Sequence, residues 1–227
     1  TNRITIRGVG SRTPYGSNRI KAYFQGIPVS SGDGNTEIED INSSVIGSVE
    51  VLKGSKSALY GSGLGGVILL NLPAVKNGFH AGGKFQVGSF ETYKAEAGLQ
   101  YGKQGFKVNS QYSNSRSAGW RENSKYEREQ FLLHLSSTKK KTQLGLTVLA
   151  TRVNAQIPSS LNQVDFEESP ESAAPNWLNV EGFEKYDKFI GGFHVKHWFS
   201  DRLSNSTHLF FQYYQGYESR PFNILDD

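Results

Sequence analysis

Apolar and polar side chains alternate along most of the chain beyond residue 78. In the stretch 79–87, small or apolar residues occupy the odd positions, and His80, Lys84 and Gln86 occupy even ones. The same period of two recurs clearly in 93–101, 106–112 and 144–150, and more weakly in 129–137, 186–199 and 206–217. Successive side chains of a strand point to opposite faces, so the pattern predicts seven two-faced strands. A length of about ten residues suits a tilted strand that crosses a bilayer.

The predicted connections differ in length. Those at 102–105, 138–141 and 200–205 are tight, whereas 115–126 and 153–185 are long, and 89–92 would be a short loop on the side of the long ones. Short turns on one side and long loops on the other are typical of transmembrane β-barrels. Aromatic residues near strand ends suit the two membrane interfaces, as at Tyr93, Tyr101, Tyr112, Trp120 and Tyr217. If one weak stretch is not a strand, six strands remain and a soluble antiparallel sandwich stays open, because a sandwich also alternates.

The first 77 residues have a different pattern. Short strands are predicted at 4–7, 21–24, 48–53 and 66–71, a helical turn within 38–46, and a linker at 73–78. Polar, glycine-rich loops separate them. We therefore predict two domains, a compact α+β unit at 1–77 and antiparallel strands at 78–227.

Composition narrows the choice of class. The 227 residues include no Cys, which excludes a disulfide framework and a thiolate metal site, and no Met, which suggests a mature or internal piece of a protein. The 25 Lys and Arg exceed the 21 Asp and Glu only slightly and are spread out, so nucleic acid is not expected as a partner. No apolar run reaches the roughly 18 residues of a membrane helix. Polar on average yet rich in Gly, Phe and Tyr, the composition favours a lipid-facing barrel with a wet interior.

Two ordered motifs lie within the first 75 residues. The longer one runs Val49-Glu50-Val51-Leu52-Lys53-Gly54 and then Tyr60-Gly61-Ser62-Gly63-Leu64-Gly65-Gly66-Val67-Ile68. Upstream stand Ile6-Arg7-Gly8 and a predicted strand, Tyr23-Phe24-Gln25-Gly26-Ile27-Pro28-Val29. Together they resemble the plug domain of TonB-dependent outer-membrane receptors, with its VEVLRGP-like strand, ALYGS and GG-V-I segments. Lys53 and Ser55 replace the arginine and proline of that pattern.

The resemblance implies a fold and a function. The fold would be an α+β plug, incomplete at its N-terminus, followed by the first transmembrane strands of a larger antiparallel β-barrel of about 22 strands. The function would be active import of a scarce nutrient, a ferric siderophore or another iron complex, across the outer membrane of a Gram-negative bacterium. The implied partners are TonB with the ExbB/ExbD energy complex, an iron chelate and outer-membrane lipid. Neither an enzyme nor a bound cofactor is expected.

Two other classes stay open at this stage. A passive porin or adhesion-type surface barrel would have the same alternating strands without an importing plug. A soluble β-rich glycan-binding module would have its apolar rows turned inward.

The resemblance also implies site residues. Plug apex loops contact the ligand, which indicates Arg12, Tyr15, Arg19, Asp33 and Asn35, although an ordinary solvated loop remains an alternative and Arg19 could belong to the following strand. Plug–barrel contacts would use Arg7, Glu50 and Lys53. Lys53 could equally be a solvated lysine, and Glu50 a partner within the plug. A structural role falls to Gly8, Gly26, Gly54, Tyr60, Gly61, Gly65 and Gly66.

Other chemistry is not expected. The glycine run precedes a predicted strand, whereas a phosphate-binding loop must open a helix. His194 and His197 are three residues apart in a predicted strand, so they point to opposite faces and cannot share an ion. No metal site and no catalytic triad are therefore predicted.

Overall fold

The structure is a computed structural model that describes residues 4–10, 18–30, 34–54, 57–61 and 63–222. Its contacts divide the chain into two compact units. The first comprises Thr1–Lys76, Thr138–Leu144 and Gly192–Phe210, and the second comprises Asn77–Ser137, Gly145–Gly191 and Phe211–Asp227. The domain boundary after residue 77 stays a prediction.

A four-stranded sheet forms the N-terminal part of the first unit. Its strands are β1 (Ile20–Phe24), β2 (Ile27–Pro28), β3 (Ser48–Lys53) and β4 (Gly66–Asn71), in the order β2-β1-β4-β3. β1 runs parallel to β4, whereas the other pairs are antiparallel. Short 3₁₀ turns occupy Ile38–Asp40 and Ser43–Val45, inside the stretch predicted to hold a helical turn, and α1 is Ser57–Tyr60.

The core of this sheet lies on one face of β1. Ile20, Ala22 and Phe24 are completely buried, and they alternate with the half-buried Lys21 and Tyr23. β4 is a nearly continuous apolar run, as expected of a strand paired on both sides and covered on both faces. The predicted bounds of β3 and β4 match the structure, and β1 begins one residue earlier than predicted.

Two sequence predictions in this region are wrong. The predicted strand at 4–7 is instead a tight turn, in which Ile6 and Val9 exchange backbone hydrogen bonds of 3.1 and 3.0 Å around Arg7 and Gly8. The predicted single strand at 23–29 is a hairpin between β1 and β2, with φ of 51° at Gln25 and 80° at the following glycine. Positive φ at both central residues gives a turn whose twist matches two antiparallel strands. In each case the residue–glycine pair marks the turn.

The seven predicted strands beyond residue 78 are confirmed. They form one open antiparallel sheet in chain order. They are longer than the predicted ten residues, up to 18 residues in the sixth of them. Their bounds are β5 Gly78–Gly88, β6 Thr92–Lys103, β7 Phe106–Ser117, β8 Tyr126–Lys139, β9 Thr142–Gln156, β10 Phe183–Ser200 and β11 Leu203–Ser219.

The register places the alternating residues in rows across the strands. One row runs from Phe79 through Tyr101 and Val108 to Leu135, and the next rows are likewise apolar or small. We call this side the apolar face. Phe79, Phe85 and Val87 on it are 67%, 68% and 76% exposed.

The rows become polar at one end of the apolar face. Beyond the row of Tyr112, the Arg116 guanidinium donates to Glu127 and to the hydroxyl of Tyr93, and Arg152 pairs with Asp187 at 2.7 Å. The strands continue past the apolar rows, and these ion pairs lie on the part that continues. The additional strand length therefore carries a charged rim that the sequence prediction did not include.

The connection lengths match the prediction: those after β5, β6, β8 and β10 are short, and those after β7 and β9 are long. The tight turn between β6 and β7 has positive φ at Gln104 and Gly105, whereas long segments follow β7 and β9. The second long segment contains α2 (Gln163–Glu168) and α3 (Pro175–Asn179), which the sequence did not predict. The guanidinium of Arg121, in the first segment, donates to Ser159 O at 2.7 Å and to Ser172 O, so the two segments are joined.

Among the described residues, no helix is both long enough and apolar enough to cross a membrane.

Candidate functional site: the glycine segment and the loops beside β1

The glycine segment before β4 is packed against its neighbours without room for side chains. A Cβ added to Gly65 would lie 2.8 Å from Cγ1 of Val9 and 2.9 Å from Cγ1 of Ile20. Gly66 has a φ of 137°, and its Cβ would lie 2.5 Å from the carbonyl oxygen of Leu52. Both positions therefore require glycine for close backbone approach. The segment leads into β4, a strand, and not into a helix that could hold a phosphate.

Lys21 joins the glycine segment to the loop at 30–37. A Cβ at Gly63 would lie 3.4 Å from Cγ of Lys21, so the lysine stem lies against this glycine. The ammonium group donates a 2.8 Å hydrogen bond to Gly34 O. Two more of the glycines with a predicted structural role, Gly54 and Gly61, have positive φ and no atom within 4 Å of an added Cβ. Their role is therefore to allow a turn of the backbone.

Tyr60 packs against β1. The hydroxyl of Tyr23 donates to the carbonyl oxygen of Tyr60 at 2.8 Å, and the two rings meet edge to face at 5.2 Å. Burial raises the pKa of the Tyr23 phenol above its usual value of 10.0, and the nearby Tyr60 phenol raises it further. The tyrosine of the motif thus fixes the glycine segment to the sheet.

The predicted ligand residues fall into two groups. Arg12, Tyr15 and Asp33 lie outside the described residues. Arg19 is exposed and immediately precedes β1, and its carbonyl oxygen accepts a 2.9 Å hydrogen bond from Gly65 N. Asn35 lies in a loop that is closed by a bridge between Ser30 and Thr36.

The structure brings the two described ligand candidates to the same end of β1. The hydroxyl of Thr36 donates to Ile20 O at 2.6 Å, and these residues are the chain neighbours of Asn35 and Arg19. The backbone of Gly65 also forms a hydrogen bond at this end of β1, to Arg19 O. The start of β1 therefore contacts both the glycine segment and the segment that contains Asn35. Ligand contact by these residues stays a prediction.

The predicted plug–barrel residues are exposed. Arg7 lies on the Ile6–Val9 turn, and Glu50 and Lys53 lie on β3, the edge strand of its sheet. Three residues apart, Glu50 and Lys53 point to opposite faces. Exposure is compatible with contact to another part of the protein, and their role stays a prediction.

The face opposite the apolar rows carries the polar residues that the alternation predicted, and it also holds the buried Leu132 and Leu149. Gln130 is 2% exposed and donates to the hydroxyl of Thr151 at 2.7 Å, and His134 Nδ1 lies 2.9 Å from the hydroxyl of Thr147. Lys188 on the same face is 6% exposed. The parity of these residues was visible in the sequence, but their burial and their cross-strand hydrogen bonds were not.

The histidines of β10 lie on opposite faces. The ring of His194 stacks on that of His208 with centroids 4.2 Å apart, whereas His197 Nδ1 lies 2.8 Å from the hydroxyl of Thr142. The pair of His194 and His208 comes from adjacent strands and was not predicted. Within the described ranges, no group of three or more His, Cys, Asp or Glu residues is placed to hold a metal ion.

Comparison with known proteins shows which family the first 67 residues match and which solved structures share the fold. Residues 1–67 match the family model described as the TonB-dependent receptor plug domain. The unliganded ferric citrate transporter FecA has 17% sequence identity and a TM-score of 0.76, over 94% of this chain and 33% of that one. The siderophore receptor PiuA from Acinetobacter baumannii has 17% identity and a TM-score of 0.65, over 86% and 29%. BauA, the ferric preacinetobactin receptor from Acinetobacter baumannii, has 15% identity and a TM-score of 0.67, over 87% and 30%.

The resemblance indicated by the sequence motifs is therefore confirmed. Residues 1–67 match the plug domain family, and the fold of the chain, a plug followed by an open sheet of seven strands, is similar to part of the solved receptors. It spans about a third of the length of these solved structures.

Proposed function

We propose that this chain is part of a TonB-dependent importer that carries a ferric siderophore or another iron complex across the outer membrane of a Gram-negative bacterium. The observation that carries the proposal is the plug match at residues 1–67, followed in the chain by a sheet whose apolar face is exposed. Exposed apolar side chains in successive rows across neighbouring strands suit contact with lipid hydrocarbon. The opposite face carries polar side chains such as Gln130 and Thr151, which suits the inner side of a barrel.

In this proposal, the loops at the end of β1 contact the iron complex. Arg12 and Arg19 would donate cationic hydrogen bonds to an anionic chelate, and Tyr15 would offer a stacking surface for an aromatic one. Asp33 and Asn35 would contribute from the second loop. Arg7, Glu50 and Lys53 would hold the plug to the barrel wall.

The proposed energy source is TonB with the ExbB/ExbD complex. TonB would pull on the plug from the periplasmic side after the ligand has bound. The substrate class follows the named neighbours, which include a ferric citrate transporter and receptors for siderophores. We place no enzymatic step in this cycle.

Growth of a deletion strain tests the proposal. The strain is supplied with single iron sources, and the gene is restored on a plasmid in cells with and without TonB. We expect at least one ferric complex to support growth only when both the receptor and TonB are present. Equal uptake without TonB would instead favour a passive porin.

A second measurement separates the membrane protein from a soluble module. The complete protein should float with outer membranes and require detergent for extraction. Recovery as a monodisperse, detergent-free monomer would favour the soluble glycan-binding alternative.

A further inference from the structure

The hairpin between β1 and β2 contacts two strands of the seven-stranded sheet within the first compact unit, which contains residues 192–210 as well as the hairpin. Ile27 is 2% exposed, and its side chain lies over Gly192 of β10. A Cβ at Gly192 would overlap Cδ1 of Ile27 and would lie 2.7 Å from its Cγ1. The glycine therefore makes a notch that accepts the isoleucine.

A second contact lies at the tip of the same hairpin. A Cβ at Gly26 would lie 2.5 Å from Cε1 and 2.8 Å from Nδ1 of His208 on β11. The His208 ring is backed by the His194 ring at 4.2 Å, and Nε2 of His194 lies 3.2 Å from the hydroxyl of Ser206. The imidazole is thus held in place beside the turn, where only a glycine leaves room for it.

These contacts rest on steric fit and not on opposite charges. At each contact a glycine on one element faces a side chain of the other, so a single added methyl group is enough to disturb the fit. The residues expected from the family pattern to hold the plug, Arg7 and Lys53, are exposed charges. Exposed ion pairs contribute little to stability, whereas a buried aliphatic side chain contributes substantially.

We propose that Gly192, together with His194 and His208, forms a socket that seats the β1–β2 hairpin, and that Ile27 must leave this socket during import. The second half of the proposal rests on the proposed function, because only an importing receptor has to displace its plug. Ile27, Gly192 and His208 are then positioning residues of the transport cycle, outside the ligand loops.

An engineered disulfide tests the socket directly. The chain has no cysteine, so Ile27→Cys with Gly192→Cys introduces a single pair. Cγ1 of Ile27 lies 2.7 Å from a Cβ at position 192, and Ile27 Cβ is one carbon–carbon bond of about 1.5 Å beyond it, so the two Cβ positions are no more than about 4.2 Å apart. Disulfides need a separation of about 3.5–4.5 Å.

We expect the pair to oxidise in the complete receptor in its membrane, as seen by a mobility shift that reductant reverses. The matched control is Ile27→Cys with Phe193→Cys, because the next residue of β10 points to the opposite face of the strand and should not form the bond. Failure of the first pair to oxidise, or equal oxidation of both pairs, would overturn the socket.

The same protein tests the displacement step. With the ferric complex that supports growth in the deletion-strain test as the probe, oxidation should leave its binding to cells within about twofold and should lower its import rate at least tenfold, with recovery after reduction. Undiminished import by the oxidised protein would overturn the displacement step while leaving the socket. Absence of import in the unmodified receptor would contradict the proposed function instead, so the three failures are distinct.

Two separate alanine variants test the socket if the cysteine variant does not reach the membrane. Gly192→Ala should expose the hairpin to protease in isolated membranes, because its methyl group would overlap Ile27. The control Gly82→Ala adds a methyl group to β5, where nothing lies within 4 Å. Equal protease resistance of the two variants and the unmodified protein would overturn the socket.

Discussion

Residues of two kinds alternate along β1 of the four-stranded sheet and along the strands of the seven-stranded one, but the apolar residues of β1 are buried, whereas the apolar face of the seven-stranded sheet is exposed. In the four-stranded sheet, the apolar residues of β1 are buried, with Ile20 and Phe24 at 0% exposure. In the seven-stranded sheet, Phe85 is 68% exposed, whereas Asn109 and Gln130 are 0% and 2% exposed. A period of two therefore defines two faces, but it does not by itself define which face meets water.

The largest loss of stability is expected from a substitution in the buried core of the four-stranded sheet. Phe24→Ala should destabilise the four-stranded sheet by about 3–5 kcal/mol, because it leaves a cavity in a closed core. Phe85→Ala should cost no more than about 2 kcal/mol in a bilayer, because lipid tails can close over the exposed position. Denaturant titration of each variant in lipid vesicles measures both. Equal losses would remove the distinction between the sheets.

A charge on the apolar face tests the exposed side. Ala97 lies at the middle of the apolar rows, between the rows of Tyr93 and Tyr101 on the same strand. Ala97→Arg should cost about 2–4 kcal/mol in folding into a bilayer, because the charge meets hydrocarbon. Gln100→Arg, on the polar face of the same strand, is the matched control and should change stability little. The opposite order of effects would mean that the faces are reversed.

A smaller effect is expected from the glycine segment. Gly65→Ala brings a methyl group within 3 Å of Val9 and Ile20 and should cost about 1–3 kcal/mol through overpacking. Gly82→Ala in the seven-stranded sheet meets no neighbour and should be close to neutral. Thermal unfolding of the four-stranded sheet, followed by protease resistance, measures the difference. A neutral Gly65→Ala would mean that this segment is less tightly packed than the structure shows.

The smallest effect concerns Tyr23 and pH. Because folding raises its pKa above 10.0, the neutral phenol is favoured in the folded state. Its stabilising contribution is present below pH 10 and is lost as pH rises through the raised pKa. Tyr23→Phe removes the hydrogen bond to Tyr60 O and should cost about 1 kcal/mol at neutral pH.

The same variant should lose part of the decline in stability above pH 10. Unfolding curves at pH 8 and at pH values above 10 provide the measurement, with the unmodified protein as reference. An unchanged pH dependence in Tyr23→Phe would assign the decline to other groups.

Local pattern predicted much of the fold. The strands at 48–53 and 66–71 were predicted at their observed bounds, because each is a short run rich in β-branched and aliphatic residues next to a glycine. The seven later strands followed from alternation alone. Their full lengths did not, because the charged rim at Arg116 and Arg152 continues the backbone pairing after the apolar signal has ended.

The candidate site was less predictable. Motif resemblance indicated Arg19 and Asn35, but the hydrogen bonds that bring their loops to one end of β1 involve Lys21 and Thr36, which no pattern marked. The errors at Arg7 and Gln25 have a common cause, since a residue followed by glycine can take positive φ and turn a chain that otherwise looks extended.

The sequence by itself determined the strands, their two faces and the plug motif, because alternation and glycine spacing act between residues close in the chain. Only the tertiary structure decided which partners those faces and glycines meet. Gly192 and His208 are unremarkable residues of predicted strands until Ile27 and Gly26, more than 160 positions earlier in the chain, are placed against them. Steric fit between distant segments depends on three-dimensional position, which a local pattern does not contain.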